Sequence, residues 1–117
     1  MPYMLLIIEP SGQRATRSAE EGRALYDRMV QFAGDLKQRG VLLATESLKS
    51  QSDATRVQRR NGSASIVDGP FSEAKEMVGG FFLVDCQTRE EAVAIACECP
   101  AAQWCTVEVR ALAPCYE

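Results

Sequence analysis

Two helical segments, each lying between apolar strands, constrain the fold of this chain more than any other feature. Ser18 with Glu21 and Thr88 with Glu91 have the spacing of a capping box, in which side chains accept hydrogen bonds from otherwise unpaired backbone N–H groups. The apolar residues behind each box recur at three- and four-residue steps: Leu25, Met29, Phe32, Ala33 and Leu36, then Ala92, Ile95, Ala96 and Cys99. Pro100 ends the second segment. Both segments are therefore predicted to be helices.

Four strands are predicted around these helices. Residues 3–9 and 81–86 are apolar at consecutive positions, which is typical of strands buried on both faces. Residues 41–48 are mixed, and residues 106–111 alternate strictly between apolar and polar. The order strand–helix–strand occurs twice, so we expect one α+β domain over residues 1–117. Its predicted architecture is a ferredoxin-like split βαβ antiparallel sheet with two helices on one face and residues 3–9 and 81–86 in the middle.

The second face of that sheet needs a cover, because two helices cover only one face. Its apolar side chains predict a homodimer with sheets packed face to face, a dimeric α+β barrel-like assembly. The alternative is that the insertion at residues 49–76 folds over this face within one chain. Asn61-Gly62 within the insertion predicts a β-hairpin, since both residues tolerate the positive φ angles of a type I′ turn.

The composition excludes several kinds of chemistry. The 117 residues include no histidine, so neither a Ser–His or Cys–His nucleophile pair nor a histidine-ligated metal can exist. Five cysteines, with only Cys97 and Cys99 close together, predict small reduced side chains rather than a metal site or disulfide framework. We expect no metal and no cofactor. The net charge of −3 argues against nucleic acid. The apolar run at residues 3–8 is too short for a signal peptide or membrane helix, so we expect a cytoplasmic protein without a membrane partner.

Residues 68–81 read Asp-Gly-Pro-Phe-Ser-Glu-Ala-Lys-Glu-Met-Val-Gly-Gly-Phe. This stretch resembles the hallmark of the YCII-related (DGPF-domain) family of small bacterial proteins, and the likeness extends over nearly the whole chain. The resemblance implies a dimeric ferredoxin-like fold without a well-established general activity. Members often sit beside extracytoplasmic-function sigma factors, and some relatives have been proposed to be small lyases that use a His–Asp pair. Cys99 stands where relatives commonly carry that histidine, so a histidine-dependent mechanism lacks its imidazole here.

The Asp68-Gly69-Pro70-Phe71 stretch is the candidate site, and it has two interpretations. In the structural interpretation it is a turn, in which Asp68 accepts backbone hydrogen bonds and Gly69 permits unusual torsion angles. Phe71 then anchors the turn in the core, and the Gly69–Pro70 bond can be cis or trans. As a functional site, Asp68 is a candidate general base. The residues expected to bind a small polar or anionic ligand here are Gly69, Pro70, Phe71, Glu73, Lys75, Glu76 and Arg59.

The function is left between two classes. One is a cofactor-independent lyase or isomerase that uses Asp68. The other is a non-catalytic binding module, serving a sigma-factor system as the resemblance suggests. For Glu73, Lys75 and Glu76 the alternative to ligand binding is a solvated loop of weak ion pairs. The basic hairpin residues Arg56 and Arg59, together with Arg60, favour a phosphate or carboxylate ligand over nucleic acid.

Overall fold

The computed structural model describes residues 1–117 as six strands and two helices. In chain order they are β1 (Pro2–Pro10), α1 (Ala19–Gln38), β2 (Leu42–Ser47), β3 (Thr55–Arg60), β4 (Ser63–Asp68), β5 (Glu76–Asp85), α2 (Arg89–Glu98) and β6 (Thr106–Ala111). Short 3₁₀ turns occupy Arg14–Thr16, Gln51–Asp53 and Pro100–Gln103. Neither helix combines the length and the apolar character needed to cross a membrane.

The helix starts follow from their caps. Ser18 Oγ accepts a hydrogen bond from Glu21 N (3.1 Å), and Glu21 Oε1 accepts one from Ser18 N (2.9 Å), which confirms the first capping box. These bonds hold the pKa of the Glu21 carboxyl below its usual range. At the start of α2, Thr88 Oγ1 accepts a hydrogen bond from Glu91 N, as predicted. The Glu91 carboxylate, however, accepts its hydrogen bond from Gln87 N rather than from Thr88 N. The second box is therefore only half formed.

The main sheet is antiparallel and has the strand order β2-β5-β1-β6. The two strands predicted to be central, β1 and β5, lie in the middle. Each strand–helix–strand unit returns to the same sheet with one strand between its ends, which is why β1 and β2 are separated by β5. The α+β class, the two helices and the antiparallel sheet are thus confirmed.

The core lies between the helices and one face of this sheet. Alternation along β1 and β5 sends every second side chain to that face, and the helix stripes pack on them. The Phe32 and Phe82 rings meet edge to face with centroids 5.2 Å apart. Buried members of the core are Tyr3, Leu5, Ile7, Phe32, Leu36, Phe82, Val84, Cys86, Ala92, Ile95, Ala96, Cys99 and Ala101.

The opposite face of the sheet, which we term the open face, is apolar and only half-buried in the single chain. Register places its central residues opposite one another: Met4 with Leu83, Leu6 with Phe81, and Ile8 with Val78. The prediction that β1 and β5 are buried on both faces therefore does not hold within one chain. Two helices on one side leave the other side without a cover.

The insertion forms the predicted hairpin but does not fold over the open face. β3 and β4 pair with each other as a separate two-stranded sheet, and all twelve of their residues are exposed. Asn61 (φ 53°) and Gly62 (φ 79°) both have positive φ, as a type I′ turn requires. The hairpin projects from the domain and raises the radius of gyration to 16.0 Å, against about 13 Å for a compact chain of this length. The alternative prediction, that the insertion covers the second face of the sheet within one chain, is thus wrong.

Candidate functional site

A cavity of about 500 Å³ lies between α1 and the helix-side face of the sheet, and we call it the helix-side cavity. Its walls are mostly apolar, because the α1 stripe and the inward residues of the sheet meet there. The side chains that shape it include Leu25, Met29, Ala33, Phe82 and Trp104. Trp104 follows the turn after α2, is half-buried, and has the Arg28 guanidinium 5.2 Å from its ring centroid. The cavity thus has an aromatic end at the only tryptophan of the chain.

One buried ion pair interrupts these apolar walls. Glu9 is 6% exposed, and its Oε1 accepts a 2.7 Å hydrogen bond from Arg14 Nε while Oε2 accepts a 3.1 Å bond from Arg14 Nη2. Arg14 Nη1 also donates to the Leu48 carbonyl (2.9 Å). This pair was not predicted from the sequence. The signal was present, since Glu9 continues the inward phase of Tyr3, Leu5 and Ile7.

The Gly79-Gly80 pair makes room for that carboxylate. Gly79 is the extra residue of a β-bulge, because Ile7 pairs with Gly80 and Ile8 with Val78. A Cβ atom added to Gly79 would overlap Glu9 Oε2, and one added to Gly80 would lie 2.8 Å from a backbone carbonyl oxygen. The bulge and the close backbone approach at these glycines shape the wall of the helix-side cavity.

Cys105 faces the same cavity as a neutral thiol. Its Sγ–H donates to Gln13 Oε1 (3.5 Å), and Gln13 Nε2 donates to the Trp104 carbonyl (2.7 Å). Burial, with a further contribution from the negative charge of Glu9, raises the pKa of Cys105 to about 11. A thiol held neutral in this way is a poor nucleophile and a poor metal ligand. No three cysteine or acidic side chains converge to form a metal site.

We predict that only two thiols of the native protein react rapidly with Ellman's reagent at pH 8. Cys97 and Cys115 are exposed, whereas burial raises the pKa values of Cys86 and Cys99. A pKa of about 11 leaves only about one Cys105 thiol in a thousand ionised at that pH. Unfolding in guanidinium should release all five, and Cys97→Ser and Cys115→Ser should each remove one fast equivalent. A third fast equivalent in the native protein would contradict the burial of this set.

A second cavity, of about 590 Å³, lies beside the base of the hairpin, and we call it the hairpin cavity. Phe71 is 8% exposed in its wall, and the Arg56 guanidinium carbon lies 3.8 Å from the Phe71 ring centroid. Glu76, at the start of β5, lines the same space. Ile8 and Val78 of the open face also contribute, so this cavity borders the uncovered side of the sheet. Of the residues predicted to bind a ligand, the structure brings Phe71 and Glu76 together here.

Asp68 lies at the end of β4, lines neither cavity, and is exposed. Its Oδ1 accepts a 2.8 Å hydrogen bond from Thr55 Oγ1, its cross-strand partner in the hairpin. Gly69 N donates to the Ala54 carbonyl (2.8 Å), and a Cβ atom on Gly69 would overlap the Gln51 carbonyl oxygen. The Gly69–Pro70 peptide bond is cis. The motif therefore fastens the base of the hairpin to the preceding turn.

The remaining predicted residues lie apart from one another. Glu73 and Lys75 are exposed in the segment that leads into β5, and neither forms an ion pair. Arg59 is exposed on β3, where its Nη1 donates to the Gly62 carbonyl (3.3 Å). Cys99 belongs to the buried core, with its sulfur 4.0 Å from Met29 Sδ, whereas Asp68 is exposed on the hairpin. The structure does not bring Cys99 and Asp68 together.

Comparison with known proteins places this fold in a family. The YCII-related domain matches residues 1–115, which is nearly the whole chain. The chain belongs to the YCII-related domain family. This confirms the resemblance drawn from residues 68–81. A distant relative, an uncharacterized protein of Rhizobium meliloti (strain 1021), is 29% identical over 96 residues, which cover 82% of this chain and 77% of that protein.

Proposed function

We propose that this YCII-related protein binds a small molecule in the helix-side cavity. The observation that supports this most directly is a carboxylate, Glu9, held among apolar walls in a space of about 500 Å³. Ligand sites are commonly of this kind, with apolar and aromatic walls and a few fixed polar groups. Arg14 donates one hydrogen bond to each Glu9 oxygen, which fixes the carboxylate in the wall of the cavity.

Binding is favoured over catalysis by the groups near this cavity. The Cys105 thiol is neutral, and the chain has no histidine. The role of Asp68 as general base of a lyase or isomerase stays a prediction; its carboxylate contacts Thr55 and lies outside both of these cavities. A regulatory role beside a sigma factor, suggested by the family resemblance, requires only that ligand binding alters a surface.

A cavity-filling variant tests the binding function. Gly22 of α1 lines the cavity, and a Cβ atom added there meets nothing within 4 Å. We expect the leucine of Gly22→Leu to occupy this space. In a screen of acids, amides, alcohols and amines about as large as one aromatic ring, the variant should therefore show no ligand-induced shift in melting temperature. Because leucine favours helix, the variant should also be more stable by about 0.5–1 kcal/mol.

Gly34→Leu provides the matched control. Gly34 lies in the same helix, is also surrounded by open space, and lies outside the cavity lining. The control should gain similar stability and keep every shift seen for the wild type. Shifts that survive in Gly22→Leu would place the ligand elsewhere and contradict a site in the helix-side cavity.

The hairpin cavity is the second candidate site, for a small polar or anionic ligand. Arg56, stacked on Phe71, supplies positive charge to its lining, where Lys49 is paired with Asp53 (3.6 Å). Binding of phosphate or a small dicarboxylate here should weaken in Arg56→Gln and persist in Arg59→Gln, because Arg59 lies outside the lining. Asp68→Asn should leave this binding unchanged. Loss of binding in Asp68→Asn would instead restore a functional role for that carboxylate.

We also propose that the functional unit is a homodimer with the open faces packed together. The strand order β2-β5-β1-β6 supports a ferredoxin-like sheet, and the six apolar open-face residues support a barrel-like assembly of two such sheets. The five free cysteines, three of them buried or half-buried, fit a reducing compartment such as the cytoplasm. Light scattering should give twice the 12.8 kDa chain mass at micromolar concentration. A mass of one chain would contradict the dimer.

A further inference from the structure

We propose that the ligand of the helix-side cavity is an apolar organic carboxylate, with the guanidinium of Arg17 as its counter-charge. This rests on the proposed binding function and adds the chemical class of the ligand. The structural basis is one unpaired arginine beside a mostly apolar cavity.

Arg17 differs from its neighbour Arg14 in having no protein partner. Both side chains line the helix-side cavity and both are partly exposed. Arg14 is engaged by Glu9 and by the Leu48 carbonyl, whereas Arg17 makes no ion pair and its guanidinium donates no hydrogen bond. The positive charge of Arg17 opposes the rise in the pKa of Cys105, which lines the same cavity. An anion bound here would meet a cation that is free to pair with it.

None of the charged groups that line the cavity pairs with Arg17, and the nearby Glu21 carboxylate, which lies outside the lining and feels the charge of Arg17, accepts a hydrogen bond from Ser18 N. Glu9 is paired with Arg14, which makes that end neutral overall. Glu46 also borders the cavity, but its register partner is Phe81 of the open face, so alternation directs its side chain to the other side of the sheet. A ligand cation would be repelled by Arg17, and a neutral ligand would leave it unused. A carboxylate fits the guanidinium in both charge and planar geometry.

The walls determine the rest of the ligand. Leu25 and Met29 of α1 face Phe82 of β5 across the cavity, and Trp104 lies in the same lining. The side chains of Leu25, Met29 and Phe82 can bury a ring or a short alkyl chain but offer it no hydrogen bonds. The ligand should therefore carry its carboxylate toward Arg17 and an apolar body between the helix and the sheet.

The single tryptophan provides the assay. We would titrate the full chain with benzoate, phenylpropionate and octanoate, and with the amide of each, while recording Trp104 fluorescence up to about 10 mM ligand. At least one acid should bind about tenfold more tightly than its amide, the effect expected of one charge-assisted hydrogen bond. Raising the salt concentration from about 50 to 500 mM should weaken binding of the acid and leave binding of the amide unchanged.

Two variants assign the preference to its residue. Arg17→Gln should reduce the acid-to-amide ratio to near one, while Arg23→Gln, which removes an exposed arginine of α1 outside the cavity lining, should leave the ratio unchanged. Equal binding of acids and amides by the wild type would overturn the ligand class, and a preference for acids that survives in Arg17→Gln would overturn Arg17 as the counter-charge; neither result would affect the proposed binding function. No fluorescence change with any probe, or a change that persists in Gly22→Leu, would overturn both the ligand class and the binding site.

Discussion

Replacing Leu6 with aspartate is expected to convert the proposed homodimer to a monomer. Leu6 lies in the central strand β1, opposite Phe81, in the middle of the open face. A two-fold axis would place two such carboxylates in one apolar interface, and each buried, unpaired charge costs several kcal/mol. The dissociation constant should therefore rise by about three orders of magnitude or more. In the monomer the same carboxylate reaches solvent from a half-buried position, so the chain should stay folded.

The measurement is mass by light scattering or sedimentation at several concentrations, with circular dichroism to confirm folding. Leu6→Asp should have the mass of one chain, 12.8 kDa. Ala94→Asp is the control, because Ala94 is exposed on α2, on the far side of the sheet from the open face. That variant should remain dimeric. A Leu6→Asp protein that still has twice the chain mass would show that the open face is not the interface.

The local elements of this fold could be predicted because each depends on neighbours in the chain. Ser18 and Glu21 lie three residues apart, so their mutual hydrogen bonds define the start of α1 without help from the rest of the molecule. Asn61-Gly62 likewise determines its hairpin through backbone preference alone. Thr88 and Glu91 show the limit of prediction from neighbouring residues. The same spacing allowed the carboxylate to reach one residue further back, to Gln87.

The candidate site could not be predicted in the same way, because its cavity arises from the separation of α1 and the sheet. Alternation along β1 placed Glu9 on the inward face, but a carboxylate at a strand end is usually solvated. Only the turn carrying Arg14 makes its burial tolerable, and the path of that turn depends on tertiary structure. The unusual residue types at positions 68–71 predicted a functional site there. In the structure the Asp68 carboxylate accepts a hydrogen bond from Thr55 across the base of the hairpin.

The largest effect on stability is expected from Arg14→Met, which should lower the free energy of unfolding by about 2–3 kcal/mol. The variant keeps an unbranched apolar stem in place of the arginine side chain but leaves the Glu9 carboxylate buried without its two guanidinium hydrogen bonds. This is below the 3–5 kcal/mol typical of a fully buried pair, because the Arg14 side chain is 36% exposed and partly screened by water. Urea unfolding monitored by circular dichroism and by Trp104 fluorescence gives the value.

A double-mutant cycle separates the ion pair from general damage. Glu9→Gln removes the buried charge, so the Glu9→Gln/Arg14→Met protein should be more stable than Arg14→Met alone, with a coupling of about 1–3 kcal/mol. Arg39 and Glu98 form a control pair at 3.1 Å, with both side chains about half exposed. Arg39→Met should cost less than about 1 kcal/mol. Equal losses for the two arginine variants would mean that burial of Glu9 does not amplify its pairing with Arg14, and that water enters this end of the cavity freely.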